Sequence, residues 1–497
     1  MKFKSFILCV FVVGMLQAQK GKNIFLDRAF WKSKPTLELV KTKISEGNDP
    51  TALSGSSFDA ISYALLETSD VVSNDIIKYL LTIKGNGVNK LTHDERTYVF
   101  WAAYKDRLDL VKYLVAKGAK LDVIDSHGYT ALNFAVSTGV KNIALFDYLV
   151  SKGADVKKDK DLHGANALLL AIPTQKDFKL INYFVSKGLS LNDTDNDGNG
   201  AINYAAKKGN QKIIDQLIAK GLPYKNKNKI GGNAMIMATQ GGRRGYNSLA
   251  FFKYLEGKGV EPNVTTTKGL TPLHNLAYRN QDVASLQYFI NKGVSLDQQN
   301  EEGNTPLMNA SYRNSLEVVQ LLAEKTKNIN VQNKKGQSAL SNSLRNKTAV
   351  VNYLLEQNAN VFVEDAKGNN LAFYLAASYN AKKEDEFVSK INLLKAKGFD
   401  FTTPQKDGNT LFHLAADKGN LPLLKFLQKF KIDVNAKNKE GQTALQKAVM
   451  VAKKPEIIKF LLANGADKTV TTSFDETIYD LAQENEQLSK FDLSFLK

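Results

Sequence analysis

Short apolar runs alternate with polar, glycine-containing segments along almost the whole chain, and this alternation returns about every 34 residues. The clearest copies of one frame, Gly-x-Thr-Ala/Pro-Leu, are Gly128–Leu132, Gly269–Leu273, Gly303–Leu307 and Gly441–Leu445. In most copies a second apolar run follows and ends at a Lys-Gly pair, as at Lys117-Gly118. A fixed period of this size indicates a stack of small similar units rather than one globular core.

The residues at the ends of these runs predict helices. Threonine directly before the first apolar residue, as at Thr130 and Thr271, is a preferred helix N-cap, and Pro272 suits a first helical turn. Glycine after the second run, as at Gly118, favours the left-handed conformation that ends a helix. Each unit is therefore predicted to be a short helix, a tight turn, a second helix and a polar hairpin.

Two segments carry a more specific signature, Thr271-Pro-Leu-His274 and Thr410-Leu-Phe-His413. They resemble the ankyrin repeat family, and the resemblance covers nearly everything after the first twenty residues. It implies an all-α ankyrin-repeat solenoid of about 13–14 helix-turn-helix-hairpin units, forming a curved rod with a concave groove. The units begin near residues 21, 57, 95, 128, 164, 198, 231, 269, 303, 336, 368, 408, 441 and 475.

This register predicts the domain organisation. We expect a cleaved signal peptide at 1–18, capping and divergent repeats at 19–94, regular repeats at 95–474 and a capping helix at 475–497. Ser57 and Glu95 stand where glycine is expected, so we expect irregular hairpins there. Two insertions, Gly241–Gly245 and Asn380–Glu386, are predicted as loops, either on a binding face or as neutral expansions.

The first residues have the pattern of an export signal. A basic start at Met1–Lys4 precedes an apolar run from Phe6 to Leu16 and a small residue, Ala18. We expect cleavage after Ala18, which would also remove the single cysteine, Cys9. The predicted location is the periplasm of a bacterium with two membranes, with secretion as the second choice.

The chain is strongly basic, with 67 Lys and Arg against 50 Asp and Glu. The net charge of +17 falls to +15 when Lys2 and Lys4 leave with the signal peptide. This excess favours an anionic partner, and the export signal argues against nucleic acid. We expect a monomer that binds an acidic protein through its concave groove and hairpin tips. The alternative is an envelope factor that recognises a polyanionic glycan or lipid.

In the ankyrin family, the two residues after the first helix's small alanines tend to face the groove. Arg279, Arg313 and Arg345 are therefore predicted to form a cationic ladder beside two tyrosines. The alternative is that each arginine pairs with acidic tips such as Glu301 and Glu302. The candidate partner-binding residues are Tyr104, Lys105, Lys207, Lys208, Tyr278, Arg279, Tyr312, Arg313 and Arg345.

A second row of large residues lies two places past each signature leucine. We interpret this row mainly as packing between helices, with an aromatic groove floor as the alternative. Its members are Tyr63, Trp101, Phe134, Leu170, Tyr204 and Met237.

Catalytic chemistry has little support in the sequence. His274 and His413 occupy the signature position, where the family uses the imidazole to hydrogen-bond neighbouring backbone. Asp193, Asp195 and Asp197 match half of a calcium loop, but Tyr204 stands where the closing glutamate belongs. We favour a plain turn there and leave calcium open. We predict a non-enzymatic interaction scaffold of the cell envelope with no cofactor.

Overall fold

The computed structural model describes residues 22–242 and 245–497, so the predicted signal peptide at 1–18 lies outside the described residues. The described chain divides into two compact units. The first contains residues up to 204 together with 215–217, and the second contains residues 205–214 and 218–497. Within these described residues the secondary structure is helical, apart from one isolated bridge between Gly242 and Gly245, so the all-α prediction is confirmed.

Helices occur in pairs, the first helix of each repeat being followed by a second. Up to the division between the units they are α1 Arg28–Lys32, α2 Leu37–Ser45, α3 Ala60–Ala64, α4 Asn74–Leu80, α5 Tyr98–Tyr104, α6 Leu108–Ala116, α7 Ala131–Ser137, α8 Ile143–Ser151, α9 Ala167–Ala171 and α10 Lys179–Ser186. First helices pack on first helices of the next repeat, as α5 does on α7 and α7 on α9.

The division falls within the next pair, α11 Ala201–Lys207 and α12 Gln211–Ala219. The helices that follow in the second unit are α13 Ala234–Thr239, α14 Leu249–Gly257, α15 Pro272–Ala277, α16 Val283–Asn291, α17 Pro306–Arg313, α18 Leu316–Ala323, α19 Ala339–Ser343, α20 Thr348–Glu356, α21 Leu371–Ala376, α22 Glu384–Ala396, α23 Leu411–Asp417, α24 Leu421–Leu427, α25 Ala444–Val451, α26 Glu456–Ala463 and α27 Ile478–Glu484. Short 3-10 turns occur at Ile24–Leu26, His93–Glu95, Ile172–Thr174, Ala381–Lys383 and Ser494–Leu496.

The signature histidine joins one repeat to the next. Thr271 caps α15, and the Nδ1 atom of His274 accepts hydrogen bonds from the Thr271 backbone N–H, at 3.2 Å, and hydroxyl, at 2.8 Å. Its Nε2 atom therefore carries the proton and donates to the Asn304 carbonyl, 2.9 Å away in the next repeat. His413 repeats this arrangement with Thr410 and the Gln442 carbonyl. Both imidazoles are buried and serve the structural role expected from the sequence.

Consecutive hairpins are fastened to one another by main-chain hydrogen bonds. In the second unit the Lys334 N–H donates to the Glu302 carbonyl at 3.0 Å, and the Ala366 N–H donates to the Lys335 carbonyl at 2.9 Å. The approach is close: a Cβ on Gly336 would lie 2.5 Å from the Ala366 nitrogen. Glycine at the hairpin tip therefore serves two purposes, a positive φ and room for the next hairpin.

The two expected irregular hairpins have different outcomes. The turn at Ser57 is regular, with a φ of 58° in the left-handed region that glycine adopts at the other tips, so the expectation for Ser57 is wrong. The hairpin at Glu95 is irregular as expected, because Asp94 and Glu95 both have positive φ angles, of 58° and 61°, within a 3-10 turn. Packing of the repeat overrides the local preference of these side chains, at a cost of about 1–2 kcal/mol each. The segment 380–386 is not a loop, because Ala381–Lys383 form a 3-10 turn and α22 begins at Glu384. Three acidic residues at its start, Glu384–Glu386, favour the positive end of the helix dipole.

Candidate functional site

Five candidate residues come together in the second unit as an alternating row, the Arg–Tyr row of Tyr278, Arg279, Tyr312, Arg313 and Arg345. The Arg313 guanidinium carbon lies 5.7 Å from the centre of the Tyr278 ring and 4.6 Å from that of Tyr312. Arg279 lies 5.2 Å from Tyr278, and Arg345 lies 5.9 Å from Tyr312. Each ring thus has two cations near it, and the cation–π attraction orients the arginine side chains.

The acidic hairpin tips do not neutralise this row. Glu301 is 3.7 Å from Lys268, and Glu302 accepts a hydrogen bond from Asn304. Among the residues that the structure describes, Arg279 and its two companions in the row form no ion pair. The pairing with Glu301 and Glu302 that the sequence left open is therefore not the arrangement adopted.

Positive charge also acts on the tyrosine between the arginines. Hydrogen bonding from Arg313, then from Arg345, lowers the pKa of the half-buried Tyr312. The Arg345 Nη1 atom is 3.4 Å from the Tyr312 hydroxyl oxygen. A lowered phenol pKa reports a positive local field, which would equally stabilise a bound carboxylate.

Beside the row lies a hollow of about 630 Å³, here called the ladder groove. It is lined by Tyr278, Tyr312 and Arg345 from the ends of first helices and by lysines of the hairpins. Its single lining carboxylate, Asp365, accepts hydrogen bonds from Tyr374 and Asn369 and so is already satisfied. The remaining charged groups that line it are Lys334, Lys335, Arg345 and Lys367.

Three asparagines, here called the floor asparagines, recur beside the row, and two of them, Asn309 and Asn342, line the ladder groove. Asn275, Asn309 and Asn342 occupy one position of three successive repeats. Each amide nitrogen donates to a main-chain carbonyl of the preceding repeat, at 3.2 Å to Ile236, 3.0 Å to His274 and 3.3 Å to Met308. No donor among the described residues bonds their Oδ1 atoms, so three amide oxygens remain as acceptors.

A second hollow of about 540 Å³ adjoins the ladder groove and shares Tyr278 with it. Its lining includes Lys207, Arg279, Asn275 and the ring of Tyr246. Lys207 is exposed, as is the next residue, Lys208. The candidate lysine pair is thus near the first arginine of the row, although only Lys207 lines the hollow.

Tyr104 and Lys105 belong to the first unit. The Lys105 ammonium lies 5.0 Å from the centre of the Tyr104 ring, which in turn packs 5.5 Å from Phe134. Both residues are half-buried, and burial lowers the pKa of Lys105. This pair is better placed for packing than for reaching a partner.

The row of large residues in the first unit is core, as the main interpretation of the sequence held. Trp101 is 3% exposed and Phe134 is 8% exposed, and the Arg96 guanidinium carbon is only 3.9 Å from the centre of the Phe134 ring. The Tyr204 hydroxyl donates to Asp195 at 3.0 Å. These side chains form contacts within the fold.

The half calcium motif behaves as a turn. Asp195 is buried, and its carboxylate accepts from the Asn199 backbone at 2.8 Å as well as from Tyr204. The Asp193 carboxylate accepts from Asn166 and from the Ser190 backbone. Within residues 22–242 and 245–497 no group of three or more His, Cys, Asp or Glu side chains is arranged to hold a metal ion.

The asparagine floor was missed by the sequence interpretation, and so was a row on the second helices. The motif Tyr-x-x-x-Lys-Gly recurs there, and it could have been found by its spacing because residues four apart share a helix face. Lys117 lies 5.8 Å from Tyr113, and Lys187 lies 5.2 Å from Tyr183 and pairs with Asp147 at 2.6 Å. These lysines cover tyrosine rings with their stems, which is a packing role.

Comparison with known proteins agrees with the repeat register. The family model described as "Ankyrin repeats (3 copies)" matches residues 65–161, 243–333 and 373–472, more than half of the chain. In the described part of the chain, no helix is both long and apolar enough to cross a membrane.

Individual relatives share the repeats rather than a whole architecture. The chain is 29% identical over 202 residues to human transient receptor potential cation channel subfamily A member 1, covering 39% of this chain and 17% of that protein. It is 28% identical over 145 residues to palmitoyltransferase AKR1 of Lachancea kluyveri, covering 29% and 19%. It is 26% identical over 187 residues to the ankyrin repeat protein YahD of Escherichia coli K12, covering 37% of this chain and 91% of YahD. The chain thus spans less than a fifth of the first two relatives.

Proposed function

This chain belongs to the ankyrin repeat family, and on that premise we propose that it is a non-enzymatic scaffold that captures an acidic protein along its Arg–Tyr row and in the adjoining ladder groove. Ankyrin repeats generally mediate protein–protein binding, and the matches to channel and palmitoyltransferase sequences cover only a small part of those proteins. The observation that carries the proposal is the Arg–Tyr row, three arginines at successive repeats without an ion pair in the described chain.

Charge complementarity selects the partner's chemistry. Lys334, Lys335 and Lys367 line the groove together with Arg345, and the one lining carboxylate is already hydrogen-bonded within the fold. A carboxylate entering the groove would meet the Arg345 guanidinium, which is able to donate two parallel hydrogen bonds. The lining lysines would strengthen association at low ionic strength.

The row is also preorganised for binding. Arg313 lies against two tyrosine rings, so its side chain has fewer conformations to lose than a free arginine on a surface. Immobilising a rotamer-rich side chain costs about 0.5–1.5 kcal/mol on binding. Stacking before the partner arrives removes part of that cost.

A pull-down comparison tests the proposal. Wild type, an Arg279→Gln/Arg313→Gln/Arg345→Gln variant and a control variant are used as baits in cell-envelope extract, and retained proteins are quantified by mass spectrometry. The control removes the same three charges from exposed lysines outside the groove, and consists of Lys325→Gln, Lys327→Gln and Lys395→Gln.

We expect an acidic protein that wild type and the lysine control retain and the arginine variant loses. Its binding should also depend on salt less steeply in the arginine variant. Equal loss in both variants would instead favour the polyanionic glycan or lipid alternative, in which net charge alone decides. Unchanged retention by the arginine variant would refute the groove as the site.

We further propose export to the periplasm, with secretion as the second choice. Support comes from the sequence of residues 1–18, a basic start followed by an apolar run and Ala18. Expression of the full-length chain in a bacterium with two membranes, followed by N-terminal sequencing of the protein from each fraction, tests this. A mature chain that begins at Gln19 in the periplasmic fraction is expected. An uncleaved chain in the cytosol would contradict export.

A further inference from the structure

We propose that the ladder groove and the Arg–Tyr row beside it bind an extended peptide segment in the polyproline II conformation that carries an acidic side chain at every third residue. This inference rests on the proposed function and specifies its ligand. Three observations support it: the spacing of the arginines, the unbonded oxygens of the floor asparagines and the exposed surface of Tyr278.

The distances to the shared tyrosine rings set an upper limit of about 11 Å on the spacing of the arginines. The guanidinium carbons of Arg279 and Arg313 lie 5.2 and 5.7 Å from the centre of the Tyr278 ring, so they are at most about 11 Å apart. The same holds for Arg313 and Arg345, at 4.6 and 5.9 Å from the centre of the Tyr312 ring. Packed helices lie roughly 8–10 Å apart, which gives the repeats a similar pitch.

Only some chain conformations place side chains on one face with that spacing. Polyproline II has three residues per turn and a rise of about 3.1 Å, so every third side chain returns to one face after roughly 9 Å. A β-strand returns a side chain to one face after two residues, about 7 Å, or four, about 13 Å. An α-helix returns after seven residues, about 10.5 Å, and therefore has to be excluded on other grounds.

The floor asparagines exclude the helix. Asn275, Asn309 and Asn342 use their amide hydrogens to bond the preceding repeat, which leaves in each repeat an oxygen acceptor with no donor among the described residues. A helical ligand bonds its own N–H groups internally and has few donors to offer. A polyproline II segment has no internal hydrogen bonds, so at least one N–H per turn is available to each asparagine.

The tyrosine rings provide surface for the residues between the acids. Tyr278 is 41% exposed even with two guanidinium carbons 5.2 and 5.7 Å from the centre of its ring. Aromatic rings that line a groove at regular intervals suit the polyproline II helix, because its shape is formed before binding and little ordering entropy is lost. The ligand therefore combines acids that meet arginine with small or proline residues that meet tyrosine.

Fluorescence anisotropy with synthetic peptides and the full-length protein tests the inference. The first labelled peptide is four Glu-Pro-Ser triplets. The second has the same composition with its four glutamates adjacent. The third is an alanine-rich helical peptide with a glutamate at every seventh position. The proteins are wild type, the arginine variant described above, and an Asn309→Leu/Asn342→Leu variant.

Leucine is a matched replacement because Leu170 and Leu414 occupy the equivalent position of other repeats. We expect the triplet peptide to bind wild type at least about tenfold more tightly than the rearranged peptide. Loss of two hydrogen bonds in the leucine variant should weaken the triplet peptide about tenfold and leave the salt dependence of binding unchanged. The arginine variant should lose both affinity and salt dependence.

Each other outcome has a definite meaning. Equal binding of the triplet and rearranged peptides would overturn the spacing rule and leave the acidic-partner proposal standing. Tightest binding by the helical peptide would overturn the extended conformation. Full binding of the triplet peptide by a leucine variant with the melting temperature of wild type would refute the hydrogen bonds between the peptide backbone and the floor asparagines. Absence of binding by every peptide would overturn the inference, while the pull-down with the arginine variant decides the proposed function separately.

Discussion

Replacement of His274 by glutamine should make the protein less stable than wild type in neutral solution and more stable than wild type in mildly acidic solution. The imidazole is 1% exposed, and burial lowers the pKa of His274 to about 4 from an ordinary value of 6.5. Glutamine keeps the helix cap, because Gln446 occupies the equivalent position and its Oε1 atom accepts from the Thr443 N–H at 2.8 Å. The substitution removes the titrating group and the hydrogen bond to Asn304.

The magnitude follows from the pKa of the histidine in the two states. A depressed folded pKa means that the unfolded chain binds the proton more tightly, so the stability contributed by neutral His274 is complete above pH 6.5 and is lost as the pH falls to 4. Between pH 7 and pH 5 this loss is about 2 kcal/mol. The bond from Nε2 to the Asn304 carbonyl contributes about 1 kcal/mol at neutral pH.

Urea unfolding followed by circular dichroism at the two pH values measures the effect. Wild type should be more stable than His274→Gln by about 1 kcal/mol at pH 7 and less stable by about 1 kcal/mol at pH 5. Other acid-sensitive groups, including His413, are common to both proteins and cancel in the difference. An equal loss of stability on acidification in both proteins would refute the assignment of this proton to His274.

Three further changes should alter stability in the same unfolding measurement. Gly336→Ala should cost several kcal/mol more stability than Gly441→Ala. Both φ angles are close to 75°, but only at Gly336 would the Cβ meet backbone, 2.5 Å from the Ala366 nitrogen. Equal costs would refute the steric argument. Asn133→Leu should stabilise by about 1–3 kcal/mol because neither buried amide atom has a partner among the described residues, and a loss of stability would mean that the amide is paired. Lys390→Met should destabilise by about 2–4 kcal/mol because its buried ammonium donates to two main-chain carbonyls, at 2.6 and 3.1 Å, and unchanged stability would count against that role.

Local signals in the sequence were enough for the helices and their order. A threonine cap such as Thr130, and glycine at Gly118 with a φ of 88°, act within one turn of chain, so they can be interpreted without knowledge of distant residues. Ser57 shows the limit of that logic. Its local preference argued for an irregular turn, and packing against neighbouring repeats overrode it.

The candidate site was less accessible from the sequence. Recurrence of Tyr-Arg at one register position predicted that Arg279, Arg313 and Arg345 would form a row, and its binding role remains a prediction. Whether Glu301 neutralised the row depended on Lys268, a residue of another hairpin. The floor asparagines occupy the position that Leu170 occupies in another repeat. Their hydrogen bonds could not be predicted locally, because each amide bonds a carbonyl about one repeat away in the chain.

The main-chain bonds between hairpin tips have a consequence for how this protein can change by duplication. Lys334 and Ala366 each donate through the backbone, so the distance from one hairpin to the next is set by atoms that every residue type possesses. Copying a repeat therefore adds a step of the same length whatever its surface residues are. The number of repeats therefore sets the length of ligand that the protein can contact, and the side chains of each repeat set which ligand residue is recognised there. Length and specificity can evolve independently.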